Sequence, residues 1–108
     1  MTYTIFLTDA ASDDLQDLYD FLLENEVDGR ADKVLDKIEE LIQSLSNHPD
    51  RGNYPKELLV LGIREYRELH FKPYRILYRV IERKVYVYLI ADGRRDLQAL
   101  LQRRLIGA

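Results

Sequence analysis

Cysteine is missing from all 108 residues, so disulfides, zinc–thiolate centres and a cysteine nucleophile are excluded, and the composition suits a reducing cytosol. Neither a metal nor another cofactor is expected. Long apolar runs are missing as well. Nothing approaches the roughly 18 apolar residues of a membrane span, and the opening MTYTIFLTDAASDD lacks the basic segment and long apolar core of an export signal. A soluble, cytoplasmic protein with no membrane contact is the expectation. The length fits a single domain, 1–108, large enough to bury one core without staples.

Basic residues are scarce in one half and acidic residues in the other. Met1 to Leu61 holds 5 Lys and Arg against 14 Asp and Glu, a balance of −9; Gly62 to Ala108 holds 11 against 5, a balance of +6. The net charge of −3 conceals this division. Such asymmetry fits a basic surface facing an acidic partner, nucleic acid or protein, with acidic helices elsewhere serving solubility; arginines that merely flank a sheet in solvent would give the same count.

What the chain does hold in quantity is strand signal, concentrated from Gly62 to Asp96. Three runs, Ile63–His70, Tyr74–Ile81 and Lys84–Ala91, are parted by the turn signals Lys72-Pro73 and Glu82-Arg83. They are too short and too β-branched for ordinary helices and predict a three-stranded meander. In the middle run Tyr74, Ile76, Tyr78 and Val80 share one side and Arg75, Leu77, Arg79 and Ile81 the other. Neither side is cleanly polar, so helices should cover one face and a different element or a partner the other.

Before the meander, Thr2–Leu7 is β-prone and placed to add a strand to the sheet. Thr8 or Asp9 can cap a helix that runs to about Asn25, with Ala11, Leu15, Leu18, Tyr19 and Leu22 as its apolar stripe and Asp13, Asp17, Asp20 and Glu24 outside. Asp28-Gly29 breaks that pattern, and a second helix, Arg30–Ser46, carries Val34, Leu35, Ile38, Leu41, Ile42 and Leu45 inward. The two form a helical hairpin that needs the sheet to bury its stripes, which gives an α+β fold, a two-layer α/β sandwich. Asn47–Gly62, with Pro49, Gly52 and Pro55, is a long connection, either an ordered lid or the approach to a site, and Leu58 to Leu61 can dock on the core. His48 is read as a helix-end residue. After Asp92-Gly93, Arg94–Leu105 predicts a short third helix. Arg94 and Arg95 then sit at its positive end, where a cation is unfavourable and a bound anion would supply the reason.

That order of elements, with the strings GIREYREL, PYRILYRV and GRRD, resembles the RelE/ParE superfamily of toxins from type II toxin–antitoxin modules. The likeness covers nearly the whole chain. Its specific part is the aromatic-Arg string Tyr74–Arg79, the tight hairpin and apolar strand after it, and Gly93-Arg94-Arg95-Asp96. The resemblance implies one of two activities. RelE-like members are endoribonucleases that cut mRNA in the ribosomal A site, whereas ParE-like members are protein inhibitors of DNA gyrase. Both are held inactive by a cognate antitoxin whose C-terminal segment wraps the toxin in a hetero-oligomer.

Cleavage through a 2′-hydroxyl needs a base, an acid and cations around the phosphorane. Arg75 and Arg95 stand where RelE-like enzymes keep arginines. Tyr66 and Glu68, however, stand where the resemblance places lysines, Leu101 where it places a tyrosine, and Asp92 where other ribonuclease branches place a histidine. His70 and Glu65 remain as acid–base candidates, with a partly exposed hairpin histidine and an arginine-paired glutamate as the plainer readings. The expectation is therefore a ParE-like gyrase inhibitor without chemistry of its own, the alternative being a ribonuclease using Arg75, Arg95, His70 and Glu65. Arg75, Arg79, Arg94 and Arg95 are expected to meet the target or an anion. For Arg75, pairing within the fold with Asp96, Glu65 or Glu68 weighs equally, because a central-strand arginine is costly unless paired. Leu77, Leu97, Leu100 and Leu101 are expected to line the groove that receives the antitoxin.

Overall fold

The computed structural model describes residues 2–25 and 29–105. Its elements are β1 (Thr4–Leu7), α1 (Asp9–Glu24), α2 (Arg30–Ser44), α3 (Lys56–Leu59), β2 (Tyr66–Phe71), β3 (Tyr74–Ile81), β4 (Lys84–Asp92) and α4 (Leu97–Leu105). The three meander strands pair antiparallel, and β1 adds to them in parallel beside β4, giving the order β1-β4-β3-β2. This is the α+β two-layer arrangement that the periodicity predicts. No described helix is long and apolar enough to cross a membrane.

Of the two cap candidates Thr8 starts α1: its hydroxyl accepts from the Ala11 amide at 3.1 Å. The hairpin α1–α2 lies on one face of the sheet. There Ala11, Leu22, Val34, Ile38, Ile42 and Leu45 meet Leu69, Tyr74, Ile76, Tyr78, Val85, Val87 and Ile90. Ile38 is fully buried, and Leu15, Leu18 and Leu41 pack against the same core while partly exposed. On the opposite face a smaller core joins Leu58, Leu77, Leu89, Ala91, Leu97 and Leu101 under α4.

Two faces can both be filled because β4 changes parity midway. Leu77 pairs with Leu89 but its neighbour Tyr78 pairs with Val87, so Tyr88 is an extra residue opposite the β3 strand. Val85 and Val87 therefore point at the hairpin, as does Ile90, while Leu89 and Ala91 point at α4.

Several boundaries differ from expectation for local reasons. The first meander strand begins at Tyr66 rather than Ile63. The second helix ends at Ser44, and the long connection after it is ordered on the edge of β2. Asn53 exchanges backbone hydrogen bonds with Glu68 (3.1 and 2.8 Å), and the Tyr78 hydroxyl accepts from the Gly52 amide (3.0 Å) and donates to the Pro49 carbonyl (2.7 Å). A Cβ on Gly52 would lie 2.6 Å from the Glu68 carbonyl, so only glycine permits this approach. Within that connection Leu58 docks on the smaller core, but Leu59, Val60 and Leu61 are exposed. The third helix starts at Leu97, not Arg94, because acidic side chains take the preceding amides. Asp92 accepts from the Arg94 amide (2.9 Å) and Asp96 from that of Ala99 (3.1 Å), the latter as an N-terminal cap does.

Candidate functional site

Arg75 rises from the start of β3 into a buried charge network. It donates to Glu68 through Nε (2.6 Å) and Nη2 (2.9 Å) and to Glu57 through Nη1 (2.7 Å) and Nη2 (2.8 Å), two forked pairings on one guanidinium. Arg75 is 9% exposed and Glu68 2%. The hydrogen bonds that Arg75 donates to Glu57 hold the Arg75 proton well above the ordinary range and the Glu57 carboxyl below its usual value. Gly93 makes room for this arrangement, since a Cβ there would lie 2.9 Å from Arg75 Cδ. The pairing within the fold that the sequence allows for Arg75 is present. Its partners are Glu68 and Glu57 rather than Asp96 or Glu65.

The other candidates are scattered. Arg94, in the turn before α4, donates to Asp92 through Nε (3.0 Å) and Nη2 (2.6 Å). That pairing lowers the Asp92 carboxyl, through hydrogen bonds first and charge second, so the cation expected to need a bound anion has a carboxylate of its own chain instead. Arg95 is exposed, and its guanidinium meets no carboxylate among the described residues. Arg79 lies with its guanidinium carbon 5.7 Å from the centroid of the Tyr66 ring. Glu65 lines a shallow pocket with Arg64, Arg67 and Arg79, whereas His70 lines a different cavity beside Lys72 and Pro73, its Nε2 3.2 Å from Glu68 Oε1. Among the described residues, Glu65, His70 and Arg95 line different pockets.

The leucines expected to line an open groove are largely consumed by the fold. Leu77, Leu97 and Leu101 are buried against one another, and Leu100 is partly buried on the same cluster. Because α4 lies across this end of the sheet, the chain itself supplies the cover expected of a partner. An ion pair fixes α4 there. Arg104 donates to both carboxylate oxygens of Asp14 (2.9 and 3.0 Å) and to the Tyr88 carbonyl (2.7 Å), while Asp14 also accepts from the Ile90 amide (3.0 Å). The pairs of β1 with β4 end at Leu7 and Val87. Asp14 and Arg104 thus satisfy backbone groups that β4 presents beyond its neighbour.

What remains open on that face is a row drawn from all four strands. Phe6 pairs with Tyr86, Tyr86 with Arg79, and Arg79 with Tyr66. The Phe6 and Tyr86 rings stack at 5.4 Å, and Tyr88 meets Tyr66 edge-on at 5.6 Å. Phe6 is 41% exposed.

Residues 5–97 match the family model described as the ParE toxin of the type II toxin–antitoxin system, parDE. The chain belongs to the ParE toxin family. This ParE-family chain is also similar in fold to solved toxins. It matches the chromosomal ParDE system from P. aeruginosa with a TM-score of 0.70 at 21% identity, covering 84% of this chain and 96% of that one. The RelBE2 toxin–antitoxin complex from Mycobacterium tuberculosis gives 0.61 at 22% identity, covering 85% and 99%. A mutant of the E. coli toxin RelE in its free state gives 0.68 at 14% identity, covering 99% and 98%. No curated protein sequence matches the chain. The protein is thus a toxin of a type II toxin–antitoxin module, of the RelE/ParE superfamily.

Some of the local chemistry has no sequence signal. Glu57 falls on the four-residue helix α3 within the long connection, too short for a periodicity that would point it at Arg75. Asp14 reads as one more residue of an acidic helix, 90 positions from the arginine it holds. Only the alternation of β2 and β3 could have brought Glu68 to Arg75.

Proposed function

We propose that this toxin arrests growth by binding DNA gyrase in the cytoplasm, without chemistry of its own, and that a cognate antitoxin neutralises it. The observation that carries this reading is the state of Arg75. An arginine engaged by two carboxylates through four hydrogen bonds is not available to a scissile phosphate. Glu65, His70 and Arg95, the acid–base and cation candidates, line separate pockets, so those three do not converge on one phosphate. The target then meets the exposed cation Arg95, and the aromatic row from Phe6 to Tyr66 offers apolar area for an antitoxin segment or for gyrase itself.

The ribonuclease reading keeps one observation in its favour, the His70–Glu68 contact, in which a carboxylate could orient an imidazole. Purified toxin in a gyrase supercoiling assay and in a translating-ribosome cleavage assay separates the two. Inhibition of supercoiling is expected, weakened by Arg95→Ala and unchanged by His70→Ala. Cleavage of mRNA at ribosomal A sites, lost by about 100-fold or more in a folded His70→Ala variant, would replace the gyrase reading with the nuclease one.

A further inference from the structure

The sheet ends in two edge strands, β1 and β2, and the two edges differ. The β2 edge carries Arg67, Glu68 and His70, and Asn53 already exchanges two backbone hydrogen bonds with Glu68. Charge and cover of this kind keep an exposed strand from pairing with another chain. The β1 edge has no such charge. From Thr2 to Thr8 the sequence TYTIFLT holds no Asp, Glu, Lys or Arg.

The backbone of β1 is open along the same stretch. The Thr4 and Thr8 amides turn inward to the Arg83 and Val87 carbonyls, both at 3.0 Å, whereas the Tyr3 amide turns outward and meets the Ser46 carbonyl at 2.8 Å. Alternation therefore turns the amides and carbonyls of Ile5 and Leu7 outward as well, and among the described residues none of these four groups has a partner on that side. Phe6, between them, is 41% exposed and stacks on Tyr86.

We infer that β1 pairs antiparallel with β1 of a second copy of this chain, about a twofold axis at Phe6. The edge is complementary to itself. In that register Ile5 of each copy pairs with Leu7 of the other, four backbone hydrogen bonds in all. The two Phe6 side chains form the close pair between them, with Cβ atoms about 4.5–5.5 Å apart. Because the stretch is uncharged, a second copy brings no like charges together there. The two four-stranded sheets become one, and the aromatic row continues from one copy into the next while Tyr66 and Tyr88 stay open. An interface confined to one short strand and the rings beside it belongs with small, transient ones, so a Kd on the order of 100 µM is expected. The inference goes beyond gyrase inhibition and does not depend on it.

The test is sedimentation equilibrium of the full chain from about 10 µM to 1 mM, which spans that Kd, with the variants Phe6→Lys and Phe6→Glu. Wild type should pass from monomer to dimer. Each variant alone should raise the Kd about tenfold or more, since the twofold axis sets like charges against each other, while its circular dichroism stays that of wild type because Phe6 is on the surface. Mixed in equal amounts, the two variants should dimerise again, as only a partner that meets residue 6 with residue 6 allows. Hydrogen exchange of wild type gives an independent measure: the Ile5 and Leu7 amides should slow as concentration rises, and the Phe71 amide on β2 should not. A wild type that stays monomeric up to about 1 mM would leave this edge to a different chain and overturn the inference, as would variants that dimerise like wild type, or a mixture no more associated than its components.

Discussion

Replacing Arg75 by alanine tests the buried network directly. The guanidinium is the shared donor to Glu68 and Glu57, whose side chains are 2% and 16% exposed. Its loss leaves two adjacent carboxylates without the cation that held them, in a site that water reaches poorly. Removing one partner of a buried ion pair costs about 3–5 kcal/mol, a large share of the roughly 5–15 kcal/mol that holds a domain folded. In urea this should move the unfolding midpoint down by at least about 1 M, with the slope unchanged. The effect should also depend on pH in a definite sense. The folded Glu57 carboxyl lies below its ordinary value because Arg75 hydrogen-bonds it. It therefore stabilises the wild type above the ordinary carboxylate range, and that contribution is lost as pH falls through the lowered value. The variant lacks it, so the two proteins should differ most near pH 7 and converge in acid. Denaturation followed by circular dichroism at pH 7 and at about pH 2, well below the ordinary carboxylate range, makes the comparison. A variant within about 1 kcal/mol of wild type at pH 7 would refute the network as described. A deficit of equal size at both pH values would show that it comes from lost packing rather than from stranded charge.

Tyr78→Phe should cost about 1–3 kcal/mol in thermal unfolding, because the Gly52 amide and Pro49 carbonyl lose a buried partner; an unchanged melting temperature would mean that water replaces the hydroxyl. Arg104→Ala should release α4, speeding hydrogen exchange from Leu97 to Arg104 and at Ile90 at a cost of about 1.5–3 kcal/mol. Protection at Ile90 equal to wild type would show that Asp14 holds that amide unaided. Glu82 occupies the β3–β4 turn at φ 57, so Glu82→Gly should raise stability by up to about 1 kcal/mol, and a fall in the urea midpoint would show that the side chain compensates for the strain.

The periodicity of Leu15, Ile38 and Leu45 and the β-rich runs after Gly62 carried enough information to set the layers, because burial follows the repeat of the element. The strand edges and helix ends shifted by a few residues where single side chains captured backbone groups, as Asp92 and Asp96 do ahead of α4. The parity change at Tyr88 was hidden, because a bulge leaves the composition of a strand unaltered. Charge was the least legible property. Arg75 looks alike in sequence whether it faces solvent or two carboxylates. Its state depends on Glu57, which arrives through a connection whose path no repeat determines.

The parallel pairing of β1 with β4 also bears on when this toxin can exist during its own synthesis. The first strand finds its register only on Lys84 to Val87, so it waits for about 80 residues to follow it from the ribosome. The contact between Asp14 and Arg104 waits longer still. Such distant pairings slow folding relative to local ones, and an interrupted chain that stops before β4 leaves β1 without a neighbour and α1 without the strand it covers. A nascent fragment therefore carries neither sheet order nor the face beneath α4. The folded toxin is therefore withheld until translation of the chain is nearly complete.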